Sequence, residues 1–191
     1  WADGLQHSAR DVGLILLRSG AILGGIQPPA LSRYPGIPVF FNIEDKFCDP
    51  EIMSVASEYA TYVQANSADL DSVDSMRDIA ESLISKGVLV AIVTGASKGC
   101  FVSDGVDSFI VRPPAVRVVD ANGAGAVLSA GLMYGICHGW NLRDACRFAV
   151  AAASKKCELV GPRFAAFDEV IKMMIIIYLL KNLITYLLAT R

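Results

Sequence analysis

Apolar residues fall along this chain in two different periods. Between positions 88 and 94 the run V-L-V-A-I-V-T is continuous and β-branched, the pattern of a parallel strand covered on both faces. Between Asp74 and Lys86, apolar Met76, Ile79, Ala80, Leu83 and Ile84 return every three or four positions. That spacing predicts an amphipathic helix, and Gly87 stops it. The same logic predicts buried strands at 12–17 and 37–42, a strand or turn at 21–26, and a strand at 61–65 ending in Asn66. Pro28, Pro29 and the Pro35-Gly36 pair punctuate the early chain, and Asp49-Pro50 opens a helix over 50–60. Gly95 and Gly99 flank a turn, and Cys100-Phe101-Val102 pairs back as a hairpin. Short strands at 107–111 and 116–119 follow, then helices at 124–138 and 141–156.

Strands alternating with helices predict an α/β fold with a largely parallel sheet and a helical C-terminal layer. Ligands of such sheets sit outside the carboxyl ends of the strands. Asn66, Thr94-Gly95 and the segment Asp120 to Gly125 all fall at such ends, and are expected to converge on one crevice. The richest stretch is V-V-D-A-N-G-A-G-A at 118–126, which reads as a strand, a glycine turn and a helix start. The backbone amides of Asn122, Gly123, Ala124 and Gly125 are expected to point out of that start. Orphan amides and the positive end of the helix dipole make a site for phosphate. The first side chain expected inside the helix is Ala126, which carries no acid, base or nucleophile. Ser129 and Ser154 lie on helix faces without a base nearby. His138, at a helix end after Cys137, reads as complementing the negative end of the dipole.

These residues carry a resemblance. D-A-N-G-A-G-A at 120–126, with Ala130-Gly131 beyond it, resembles the D-T-x-G-A-G-D signature of the ribokinase-like, PfkB-type carbohydrate and nucleoside kinases. V-T-G-A-S-K-G at 93–99 is similar to that family's nucleotide-binding turn. N-S-A-D at 66–69 is similar to its N-x-x-E element, and F-A-V-A-A-A-S at 148–154 with Gly161 to its helix and loop under the adenine. Order and spacing agree across residues 35–170. The resemblance implies a three-layer α/β sandwich, truncated at its N-terminus, because the family's substrate-binding half and lid have no counterpart ahead of Trp1. It implies ATP at Thr94, Gly95 and Val150, with phosphates on Asn122, Gly123, Ala124 and Gly125. It implies magnesium held through water near Asn66 and Asp69, potassium or another monovalent cation at Asp120, and a close helix-to-sheet approach at Gly131. The departures weigh as much. The family's general base is the last Asp of the signature, and here that position is Ala126. Val150 replaces a common Asn, Asn42 a common Asp, and Asp69 a Glu.

Composition changes the picture at the C-terminus. The chain has 191 residues, 53% of them hydrophobic and 19% charged, with mean hydropathy +0.45. Much of the excess lies after Val170, which divides the chain into a partial kinase-like domain, 1–170, and an apolar helix, 171–191. That helix reads as a contact for a protein partner or a second copy, with membrane contact and altered coding sequence as competing readings; Lys172, Lys181 and Asn182 interrupt a span. Net charge is −2 without a basic patch, which argues against nucleic acid as a partner. Five cysteines at irregular spacing fit buried thiols in a reducing, intracellular compartment better than a disulfide or zinc framework. The opening Trp1, without a signal-peptide pattern, reads as part of a longer gene product. The functional expectation is a degenerate carbohydrate kinase fold, noncatalytic and serving as a structural or regulatory subunit. An active ATP-dependent sugar or nucleoside kinase with a substituted base, and a nucleotide sensor without turnover, are the alternatives.

Overall fold

The computed structural model describes residues 15–18, 36–66, 72–161 and 169–170. The expected strand or turn at 21–26, Asp69 and the tail 171–191 lie outside them. Two compact units divide the chain, Trp1–Ile110 and Val111–Arg191.

The first unit is built on a sheet whose strands lie in the order of the chain: β1 (Ile15–Arg18), β2 (Val39–Glu44), β3 (Tyr62–Asn66), β4 (Val90–Thr94), β5 (Cys100–Ser103) and β6 (Ser108–Val111). β1 to β4 pair in parallel, and β5 turns back antiparallel to β4. The expected hairpin is therefore present, with Thr94 opposite Cys100. Helix α1 (Pro50–Tyr59) joins β2 to β3, and α2 (Val73–Ser85) joins β3 to β4. Both begin as their sequences direct. The Asp49 carboxylate accepts the N–H groups of Glu51 and Ile52 at 3.0 and 3.1 Å, with Pro50 in the first turn. The Ser72 hydroxyl accepts the Ser75 N–H at 3.1 Å.

Alternation along the strands sorts the core. Phe41, Ile43, Val63, Ala65, Ala91 and Val93 face the buried sides of α1 and α2, which contribute Ile52, Val55, Ala56, Met76, Ala80 and Leu83. Their neighbours Phe40, Gln64, Ile92 and Val102 are buried as well. Successive strand residues point to opposite faces, so the sheet is covered on both sides, as the unbroken apolar run of β4 predicts. The pairing of β2 with β3 slips between Asn42 and Glu44. Glu44 takes φ +56° there, and its N–H donates to the Asn42 side-chain oxygen at 3.0 Å.

The second unit holds helices α3 (Ala124–Cys137) and α4 (Leu142–Lys156), joined by a tight turn through Gly139. They run antiparallel at close range. A Cβ on Gly131 would stand 2.8 Å from the Ala149 Cα, and one on Gly135 would stand 2.7 Å from the Ala145 Cβ. The close approach expected of Gly131 is thus real, but it is to a helix and not to the sheet. Residues 116–119 are not a strand, contrary to expectation. The Val119 and Asp120 N–H groups donate to the Cys157 carbonyl at 2.7 and 3.1 Å, while the Val118 and Val119 side chains are exposed. β-Branched residues favour an extended backbone, yet a strand also needs a neighbour for its ladder; here the helix end takes those donors. All five cysteines are free thiols, Cys100 and Cys146 buried, Cys48 and Cys137 exposed, and Cys157 half-buried.

The helix contact makes a direct prediction. Gly131→Ala should cost about 1–3 kcal/mol, the usual range for overpacking against backbone. Gly125→Ala, where an added methyl meets nothing within 4 Å, should be near neutral. Denaturant titrations of both variants check the contrast, and equal effects would refute the close packing.

Candidate functional site

The α3 start differs from the other α-helix starts among the described residues. α1, α2 and α4 each carry a side-chain cap, the last from Asn141, whose oxygen accepts the Asp144 N–H at 2.9 Å. α3 has none. Its cap residue is Gly123, held at φ +83°, a left-handed conformation that favours glycine. The Val127 N–H donates to the Gly123 carbonyl at 3.1 Å, four residues back.

The expectation of four open amides needs correction at two positions. The Asn122 N–H donates to Asp120 Oδ1 at 2.8 Å, and the Ala124 N–H to the Ala121 carbonyl at 3.1 Å. The tight turn that exposes the helix start consumes both. The N–H groups of Gly123, Gly125 and Ala126 have no hydrogen-bond acceptor among the described residues. Residues 121–123, 125 and 126 are exposed. The site therefore offers three amides and the positive end of a 14-residue helix, an arrangement suited to phosphate oxygens. Ala126 is the third residue of the helix rather than its first side chain, and it presents only a methyl.

Asp120 ties this turn to the end of α4. Its Oδ2 accepts the Gly161 N–H at 2.9 Å, and its carbonyl accepts the Lys156 ammonium at 2.8 Å. Lys156 Nζ also lies 3.9 Å from Asp120 Oδ2, with the lysine side chain 1% exposed. The Asn122 N–H, then the Gly161 N–H, and finally the nearby Lys156 charge hold the Asp120 carboxyl below its ordinary pKa of 3.8. A monovalent cation does not fit this arrangement. Both carboxylate oxygens and the carbonyl of Asp120 already accept hydrogen bonds, and a positive charge stands beside them.

Residues 39–168 match the pfkB family carbohydrate kinases. The chain belongs to that family. Two curated relatives are similar over part of it: an uncharacterized sugar kinase of Archaeoglobus fulgidus, 32% identical over 90 residues, covering 47% of this chain and 36% of the relative, and 1-phosphofructokinase of Rhodobacter capsulatus, 32% identical over 94 residues, covering 49% and 29%. The chain thus spans about a third of the length of these relatives. Among solved structures, Arabidopsis thaliana ribokinase complexed with ribose and ATP is similar with a TM-score of 0.70 and 20% identity, over 87% of this chain and 57% of that one. Salmonella enterica aminoimidazole riboside kinase, complexed with aminoimidazole riboside and an ATP analogue, gives 0.71 and 19%, over 84% and 62%. The fold is ribokinase-like, as the resemblance implied.

The remaining expected site residues of this pfkB-family chain are spread over both units. Asn66 and Thr94 are register partners at the ends of β3 and β4. Asn66 is exposed, and the Thr94 hydroxyl donates to the Ala65 carbonyl at 3.3 Å. Gly95 is buried, and a Cβ there would stand 2.7 Å from Met76 Sδ. Its N–H closes the turn on the Gly99 carbonyl at 2.9 Å. No cluster of three His, Cys, Asp or Glu side chains suited to a metal occurs among the described residues; of the expected magnesium pair, Asn66 is described and Asp69 lies outside the described residues. Val150 is 3% exposed, which makes its side chain a packing residue rather than a surface offered to a base. Ser129 and Ser154 donate to the carbonyls four residues back, at 3.0 and 2.7 Å. His138 caps α3, with Nδ1 2.8 Å from the Tyr134 carbonyl, in agreement with the helix-end reading. No helix among the described residues is long and apolar enough to cross a membrane.

Lys156 is the site residue that sequence reasoning missed, although a signal exists. Positions 145, 149, 152 and 156 recur every three or four residues on one stripe of α4, and all are buried.

A pH prediction follows from Asp120. A carboxylate with a lowered pKa stabilises the fold above its ordinary value and loses that contribution as pH falls through its lower folded value. Melting temperature should therefore decline below about pH 4, and Asp120→Asn should flatten that decline. Thermal melts across the acid range test it; an identical slope in the variant would remove Asp120 from the acid response.

Proposed function

We propose that this chain binds the phosphates of a nucleoside triphosphate, ATP in the first instance, at the start of α3, and transfers none by itself. The observation that carries the reading is Ala126: an exposed methyl on the helix turn whose amides remain open. The resemblance implies a carboxylate there, taking the proton from a sugar hydroxyl as it attacks the γ-phosphate. General-base catalysis is worth roughly 10²–10⁴-fold, and a methyl supplies none of it. What the open amides retain is stabilisation of phosphate charge. ATP is favoured because Arabidopsis ribokinase is complexed with it. Magnesium would accompany it and screen phosphate charge.

The chain's place in a larger assembly belongs to the same reading. The apolar sequence at 171–191 supports a protein partner or a second copy. An active kinase is the second reading, favoured by the survival of the amide cradle; it requires a base supplied from outside this turn.

Calorimetric titration with magnesium-ATP should show one-site binding in the millimolar range or tighter; no heat at that concentration refutes the proposal. Ala126→Asp, assayed against a panel of sugars and nucleosides, should raise phosphoryl transfer by about 10²–10⁴-fold over the parent chain. Rapid transfer by the parent chain would establish the second reading instead.

A further inference from the structure

We propose that the Lys156 ammonium takes the place of a bound monovalent cation at the phosphate-binding turn, so that this turn is ordered without potassium. The lysine is the last residue of α4, its side chain 1% exposed and its Nζ on the Asp120 carbonyl at 2.8 Å. Its Cε lies 3.9 Å from where a Cβ of Gly123 would stand, so the side chain runs beneath the residue that opens α3. Asp120 is two residues from Asn122 and three from Gly123, and its negative charge would oppose an anion at the α3 start. A positive charge within 4 Å of that carboxylate cancels the opposition. A loosely held potassium ion in the same position would do the same work, but it would meet the ammonium and oxygens that already accept hydrogen bonds.

The neighbouring lysine shows that the inward orientation is specific. Lys155 sits on the outer side of the same turn and pairs with Glu158 at 2.6 Å. Lys156 instead joins two segments: the turn at 119–123 and the loop that leaves α4, whose Cys157 carbonyl accepts the Val119 and Asp120 N–H groups and whose Gly161 N–H donates to Asp120. Its position at the negative end of α4 favours a cation. Lys156 is a positioning residue: it acts on a bound anion through Asp120 and the turn.

The test is thermal melting of the whole chain without nucleotide, in potassium, sodium and choline chloride at equal ionic strength. Because no nucleotide is present, its outcome is independent of whether the chain binds ATP. The parent chain should melt at the same temperature in all three salts. Lys156→Met keeps the apolar stem and removes the charge. It should melt lower in choline and regain roughly 5–10 °C in potassium, the shift expected of a cation site filled at about 100 times its dissociation constant. Folding of the variant in potassium but not in choline would support the proposal equally. Stabilisation of the parent chain by potassium over choline would overturn it. So would a variant equally destabilised, or equally unfolded, in every salt, since that is the behaviour of a structural ion pair.

Discussion

A lysine ammonium that leaves water must find oxygen atoms, and at the end of α4 those atoms belong to Asp120. A buried charge without such a partner costs several kcal/mol, so the chain from Val119 to Gly123 is obliged to lie where Lys156 can reach it. Two further donors secure it, as Val119 and Asp120 give their N–H groups to the Cys157 carbonyl. The geometry of the α3 start depends on this anchor. With Asp120 in place, its carboxylate turns the chain through Asn122, and Gly123 can take the left-handed conformation that opens the helix.

The second constraint is what the chain withholds. Three of the four α-helix starts among the described residues are closed by a side chain: Asp49, Ser72 and Asn141 satisfy amides that water would otherwise have to meet. The α3 start has glycine in that role, and its amides stay available. Unsatisfied donors at a helix start are a stability cost that folding alone does not reward. They become useful when an anion supplies the missing acceptors, which is why the uncapped helix, rather than any single polar side chain, marks the site. The family's fold supplies this start. The amides come from the backbone, so under the proposed function phosphate binding does not depend on the side chain at Ala126.

Helix packing limits how α3 can be placed. Gly131 and Gly135 meet Ala149 and Ala145 almost backbone to backbone, and a helix pair this close has little freedom to slide. The glycine residues of the 120–135 segment therefore serve two different ends. Gly123 is needed for its backbone conformation, whereas Gly131 and Gly135 are needed for the space that they leave.

Much of the fold was legible in the residues themselves. The β4 run reads as a doubly covered strand because it is apolar without a break from Val88 to Val93, the α2 stripe reads as a helix because its period matches 3.6, and Asp49 reads as a cap because a carboxylate at a helix start meets local amides. All three rest on interactions within a few residues. The open α3 start was legible for the same reason, through its glycines, although the turn itself takes the Asn122 and Ala124 amides. Tertiary structure decided the rest. Whether Val116 to Val119 form a strand depends on a neighbour to complete the ladder, and the Cys157 carbonyl took the donors instead. Which helix or sheet Gly131 approaches is a matter of partners distant in sequence. Lys155 and Lys156 are chemically identical and adjacent. One turns to Glu158 in the surface layer and the other to Asp120 beneath the turn, because the helical step of about 100° puts them on different sides of α4 and only packing determines which side is the interior.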